Sequence, residues 1–180
     1  GAVLGDAASP TTRPRGLHAF RAIEAGVQRA PATPGDLLLH VSSKRADLNL
    51  ELALRLRSAL GARAEVVEEV AGFSYLDSRD LTGFIDGTQN PRGARARAEA
   101  ALIGREDAAF AGGSYVFTQR YVHDLARWQA LALAEQERAI GRRKRDSKEL
   151  SAKAKPATAH ISRVVIEENG AELEIVRHSF

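Results

Sequence analysis

Asp86 lies in Gly83-Phe84-Ile85-Asp86-Gly87-Thr88-Gln89-Asn90-Pro91, an acid between glycines in a stretch too apolar for an ordinary solvated loop. Glycine tolerates positive φ and lets the backbone approach a ligand closely, while Asn90-Pro91 stops a helix from continuing through. Such a segment can present a carboxylate for proton transfer. By local chemistry alone the commoner case is a tight turn in which Asp86 serves as a cap or an Asx-turn acceptor. A second concentration of chemistry lies near the other end of the chain, where Asn169-Gly170 separates two β-patterned runs. That dipeptide predicts a two-residue type I′ turn pairing residues 161–166 with residues 173–177. With Glu168 opposite Ala171, Ser162 falls opposite Arg177, and His160 lies two residues along on the same face. By residue type alone a histidine at a strand start is a surface or satisfied core residue, and the same holds for His18, His40, His123 and His178.

The elements that must hold these groups alternate between strand and helix. Residues 36–41 read as a buried strand, followed by a helix from Asp47 to Leu60 that stops at Gly61. Leucines 48, 50, 52, 54 and 56 alternate at the strand period, yet Leu48, Leu52, Leu56 and Leu60 also share a helix face, and the flanking alanines and arginines favour helix. Residues 65–70 and 115–122 read as further strands, residues 124–131 and 134–142 as helices, and residues 144–159 as an irregular polar tract. Strand, helix and strand with short links suit an α+β layer with helices on one sheet face.

Composition bounds the function classes. The chain has 180 residues, 44% hydrophobic and 27% charged, with room for one substantial core or two small ones. No run approaches the roughly 20 apolar residues that span a bilayer, and the first residues carry no signal-peptide or twin-arginine pattern, so the expectation is a cytoplasmic protein without a membrane partner. Cysteine is absent, which removes disulfides and thiolate ligation of a metal. Methionine is absent too, which suggests a processed or excised piece of a longer chain. Net charge is +3, with basic clusters at Arg142-Arg143-Lys144-Arg145 and at residues 92–97. Aromatic content of 6%, with none interleaved in the basic runs, argues against nucleic acid.

Several motifs acquire meaning together. Gly83 to Pro91 resembles the Gly-x-x-Asp-Gly signature of the dye-decolorizing peroxidases. Ala111-Gly112-Gly113-Ser114-Tyr115-Val116 with Gln119-Arg120-Tyr121-Val122-His123-Asp124-Leu125, Glu135-Gln136-Glu137-Arg138-Ala139-Ile140-Gly141-Arg142, the tract from Lys155-Pro156 to His160, and Glu174-Ile175-Val176-Arg177 resemble the same family in the same order. The resemblance, to the bacterial, cytoplasmic type, covers roughly residues 35–180.

It implies a two-domain α+β architecture of ferredoxin-like antiparallel sheets with helices on one face, incomplete at both ends. Residues 1–80 would form part of the N-terminal domain and residues 81–180 part of the C-terminal haem domain. It implies heme b as cofactor, with His160 the axial iron ligand, lying just outside the regular hairpin pairing, and Arg142 a propionate partner. Gly87, Thr88, Gln89 and Arg177 would line the haem site, with Asp86 relaying the peroxide proton and Arg177 stabilising developing negative charge. Hydrogen peroxide and a small organic reductant, dye-like or phenolic, would be the substrates, with Trp128, Tyr115 and Tyr121 as candidates to relay electrons. A homo-oligomer is expected, and some members have an encapsulating shell partner. Two other readings stay open: a haem-poor structural remnant of the same fold, and a basic ferredoxin-like module binding nucleic acid.

Overall fold

The structure, a computed structural model, describes residues 13–33, 35–173 and 175–179. It divides into two compact units, Gly1–Ala71 and Gly72–Phe180.

In the first unit, β1 (Ile23–Ala25) and β2 (Gln28–Ala30) form an antiparallel hairpin that pairs Glu24 with Arg29, whose side chains form an ion pair at 3.3 Å. The fifteen-residue helix α1 (Ala46–Leu60) follows, so its alternating leucines are helical, as the alanine and arginine content predicts. Asp47 in its first turn complements the helix dipole, Arg55 donates to Glu51 at 2.7 Å one turn back, and the chain leaves the helix at Gly61 with φ of 52°. None of its residues is buried.

The second unit is organised around Phe84, Ile103 and Ala159, its buried apolar residues. α2 (Ala94–Ala101) begins after Gly93, α3 (Leu125–Ala130) is capped by Asp124, which accepts from the Arg127 amide at 3.0 Å, and α4 (Leu133–Ile140) is opened by Glu135, which accepts from the Ala132 amide at 2.9 Å. Between α4 and the closing hairpin, the predicted irregular tract is a series of turns ending in a 3₁₀ turn at His160–Ser162.

The hairpin forms as expected at its tip. β3 (Glu167–Glu168) pairs with β4 (Ala171–Glu172) with Glu168 opposite Ala171, and Asn169 and Gly170 both have positive φ, as a type I′ turn requires. Leu173 donates to the Ile166 carbonyl at 2.7 Å, one rung further. Pairing does not extend to Ser162, because that residue belongs to the 3₁₀ turn, and His160 accordingly lies outside the ladder. Glu174, in the predicted arm, lies outside the described residues, as do residues 1–12.

Three predicted strands are absent among the described residues: 36–41, 65–70 and 115–122 carry no ladder. A β-patterned sequence specifies only one side of a pairing, and a strand exists only with a neighbour about 4.8 Å away. Leu37, Leu38, Leu39, Val66, Val67 and Val70 in the first unit, and Val116, Phe117, Tyr121 and Val122 in the second, remain exposed. The α+β class stands, with its β component held in two short antiparallel hairpins.

Candidate functional site

The Asp86 segment is built from the core outward. Phe84, 3% exposed, meets Trp128 edge to face at 6.2 Å, and the Lys144 ammonium lies over its ring at 5.6 Å. Trp128 donates its indole N–H to the Thr82 carbonyl at 2.9 Å. Gly83 sits at φ of 87°, where other residues are strained, and a Cβ there would displace the Lys144 side-chain end, 2.5 Å away at Cε. The backbone then pairs Ile85 with Arg79, and the Asp86 amide donates to the Ser78 carbonyl at 2.9 Å. Asp86 is therefore fixed by backbone on one side and by a packed aromatic on the other.

Its half-buried carboxylate accepts from the Ser179 amide through Oδ2 at 2.7 Å. Two residues earlier, Arg177 is gripped by Asn90: the side-chain Nδ2 donates to the Arg177 carbonyl at 2.6 Å, and Oδ1 accepts from the Arg177 amide at 2.8 Å. Gly87 makes this possible, since a Cβ there would lie 2.8 Å from Asn90 Nδ2. Thr88 and exposed Gln89 form the central pair of a turn closed by the Asn90 amide on the Gly87 carbonyl at 3.1 Å. Arg177 itself is exposed, and its guanidinium donates through Nη2 to the Val164 carbonyl at 2.9 Å.

His160 and Arg142 form a second group. Gly141 ends α4 in the left-handed region at φ of 93°, and a Cβ there would lie 2.7 Å from Ile161 Cγ1 and 3.2 Å from the Ala159 Cβ, so the 3₁₀ turn packs directly on the glycine. Ala159, 1% exposed, anchors the turn, and the His160 ring projects exposed beside it with no hydrogen bond to either ring nitrogen among the described residues. Arg142 is 11% exposed at the side chain and donates through Nη1 to the Ser147 carbonyl at 2.8 Å. Among the described residues its buried Nη2 has no hydrogen-bond partner, with the Glu149 carboxylate at 3.9 Å, beyond hydrogen-bond reach.

The structure thus brings Asp86, Gly87 and Arg177 into one patch and ties Arg142 to the His160 turn through Gly141. His160 makes no hydrogen bond with Asp86 or Arg177. The basic run is engaged within the fold. Arg143 pairs with Asp146, and the Lys144 ammonium donates to Gln136 at 2.7 Å. Arg143 holds the Asp146 carboxyl below its ordinary range, and the Lys155 hydrogen bond does the same for Glu149. Sequence reasoning missed the grip of Asn90 and the role of Ser179. Asn90 is visible there only as a helix stop, and a backbone amide donor has no side-chain signature.

The second unit thus presents a fixed carboxylate beside the Arg177 segment, and His160 stands exposed on a separate turn. The chain belongs to the Dyp-type peroxidase family: the family's C-terminal model matches residues 77–180 and its N-terminal model residues 4–74. It is 48% identical over 168 residues to a dye-decolorizing peroxidase of Mycobacterium tuberculosis, covering 93% of this chain and 50% of that one. Among solved structures, it resembles DyPB from Rhodococcus jostii RHA1 with a TM-score of 0.89 and 47% identity, over 94% of this chain and 55% of the other. DypB variants from that organism have been solved in complex with heme. It also resembles the encapsulated DyP-type peroxidase from Mycobacterium smegmatis, with a TM-score of 0.87 and 49% identity over 93% of this chain and 54% of that one. The chain therefore spans about half the length of the curated relatives it matches.

Proposed function

We propose that this chain binds heme b and reduces hydrogen peroxide while oxidising a small organic reductant, dye-like or phenolic, in one-electron steps. The observation that carries the reading is the Asp86 carboxylate held by the Ser179 amide at 2.7 Å, on the same short segment as Arg177. The residues fit the cofactor. His160, whose ring nitrogens make no hydrogen bond among the described residues, would hold the iron from a turn fixed by Gly141, and the buried Nη2 of Arg142, without a hydrogen-bond partner among the described residues, would receive a propionate oxygen. Gly87, Thr88 and Gln89 supply a turn whose glycine lets backbone approach closely.

When bound, the haem supplies the two electrons that split the O–O bond and recovers them singly from the reductant. Asp86 takes the proton from one peroxide oxygen and returns it to the other, which leaves as water. Arg177 supplies a permanent positive charge against the negative charge developing on the departing oxygen. Trp128 bridges the Thr82 carbonyl and the Phe84 ring, while Tyr115 and Tyr121 are exposed; all three are electron-relay candidates.

The partners on this reading are a second copy of the chain and an encapsulating shell protein, the setting cytoplasmic, and the domains residues 1–80 and 81–180. Among the described residues no helix is long and apolar enough to cross a membrane. Hemin titration followed by absorption spectroscopy tests the function: a saturable Soret band that responds to peroxide supports it, and a spectrum of free hemin alone overturns it. The exposed apolar segment 115–122 favours a second reading, a haem-poor chain that associates through unpaired β-patterned segments. Light scattering with haem quantitation separates the two, since an oligomer with substoichiometric haem supports the second and a monomer with one haem supports the first.

A further inference from the structure

Arg79 is the point at which the Asp86 segment is fastened to the turn that begins with Arg142. Its backbone pairs with Ile85, immediately before Asp86, and with Tyr75 on the other side. Its half-buried side chain reaches further. Nη1 donates to the Gly83 carbonyl at 2.7 Å and to the Lys144 carbonyl at 2.8 Å, and Nη2 donates to the Arg145 carbonyl at 3.3 Å. One planar cation thus ties carbonyls from two segments more than 60 residues apart in sequence, with separations of 4, 65 and 66 residues.

The segments so joined are the ones that bear the proposed chemistry. Gly83 starts the five-residue run that ends at Gly87, with Asp86 inside it. Lys144 and Arg145 follow Arg142 in a turn that closes when the Ser147 amide donates to the Arg143 carbonyl at 2.9 Å. Lys144 presses the same joint from the side, because its amide donates to Glu137 Oε1 at 2.9 Å while its ammonium covers Phe84. Carbonyl groups gathered around a cation lose their best orientation when it is removed, and a hydrogen bond to a charged donor is stronger than a neutral one.

We infer that Arg79 is a positioning residue, which sets the Asp86 carboxylate relative to the Arg142 turn without touching the reacting atoms. The inference rests on the assignment of Asp86 and Arg142 to the haem site, but its physical core is a coupling within the haem-free chain. Hydrogen exchange resolved by residue on the full, haem-free chain tests that core directly. In Arg79→Leu the Asp86 amide should exchange at least about tenfold faster than wild type, and so should the Ser147 amide, with the α4 amides unchanged. Arg79→Lys should recover part of the protection at Asp86, because an ammonium cannot span all three carbonyls in the guanidinium's fixed fork.

Should Arg79→Leu expose the α4 amides as well, Arg79→Lys decides: faster exchange confined to Asp86 and Ser147 supports the coupling. Exchange at both amides within twofold of wild type in Arg79→Leu, or in Arg79→Lys where the leucine variant disturbs α4, overturns it. In hemin-loaded protein the leucine variant should keep its Soret band and lose about tenfold in the rate with peroxide, with the pH profile of that rate displaced and partly restored in Arg79→Lys. A chain that takes up no hemin while Arg79→Leu still loosens Asp86 and Ser147 would defeat the haem assignment and leave the coupling standing.

Discussion

The side-chain amide of Asn90 grips the backbone of Arg177 from both sides, donating to its carbonyl at 2.6 Å and accepting from its amide at 2.8 Å. The two residues are 87 positions apart in the chain. This two-point contact substitutes for a strand pairing at the start of the 177–179 segment, and Ser179, at its end, meets the Asp86 carboxylate.

Asn90→Leu should therefore release the segment. Losing two hydrogen bonds costs on the order of 1–3 kcal/mol. Hydrogen exchange should quicken at the amides of Arg177 and Ser179, which the grip and the Asp86 contact protect. Asn90→Asp should quicken exchange less, because a carboxylate still accepts from the Arg177 amide but cannot donate to its carbonyl. Unchanged exchange at both amides in both variants would remove Asn90 from the site.

Asp86 and Arg177 carry different roles in the proposed reaction, and substitution of either should slow it. Asp86→Asn keeps an oxygen to accept from Ser179, so its effect reports the loss of proton transfer more than a loss of shape. It should slow the reaction with peroxide by about 10² or more, as loss of a general acid–base group does. Arg177→Leu should slow it about 10²-fold or more, as loss of a preorganised charge does. Stopped-flow rates within twofold of wild type for both variants would exclude this patch from peroxide chemistry.

Acid should loosen the turn that carries Arg142. Glu149 is held below the ordinary glutamate range, first by the hydrogen bond from Lys155 and then by the Lys155 and Arg142 charges. Asp146 is held down first by its hydrogen bond from Arg143. For a carboxylate whose pKa is depressed by folding, the stabilisation is complete above its unfolded pKa, about 4 for these groups, and fades as pH falls through the folded value. Asp146 is half-buried and Glu149 exposed at the surface, so solvent screening keeps the effect modest and salt-sensitive. Melting followed from pH 7 to pH 3 should show a loss below about pH 4 that Glu149→Gln reduces. A pH response identical in Glu149→Gln and wild type would show that the Lys155 pair contributes nothing.

The parts of the molecule legible in sequence are those with local causes. α1 ends at Gly61 and α3 begins at Asp124 because cap chemistry is written in adjacent residues, and Asn169-Gly170 fixes the hairpin tip because both residues accept positive φ. Residues 36–41, 65–70 and 115–122 show the opposite case. Their pattern favours extended chain, but a ladder depends on a partner that the segment itself does not encode. The same division runs through the site. Asp86 stands out between its glycines and His160 through its resemblance to a family tract, whereas Asn90 and Arg79 act on distant backbone carbonyls, which leave no mark in the local sequence.

His160 is the residue proposed to hold the haem iron, and a hemin titration of His160→Ala beside wild type tests that role. The ring is exposed on a turn whose fold rests on Gly141 and Ala159, so the substitution should leave the far-ultraviolet circular dichroism nearly unchanged. A saturable Soret band should form in wild type and be lost in the variant. A band of equal intensity and unshifted position in His160→Ala would contradict that role and return His123 and His178 to consideration.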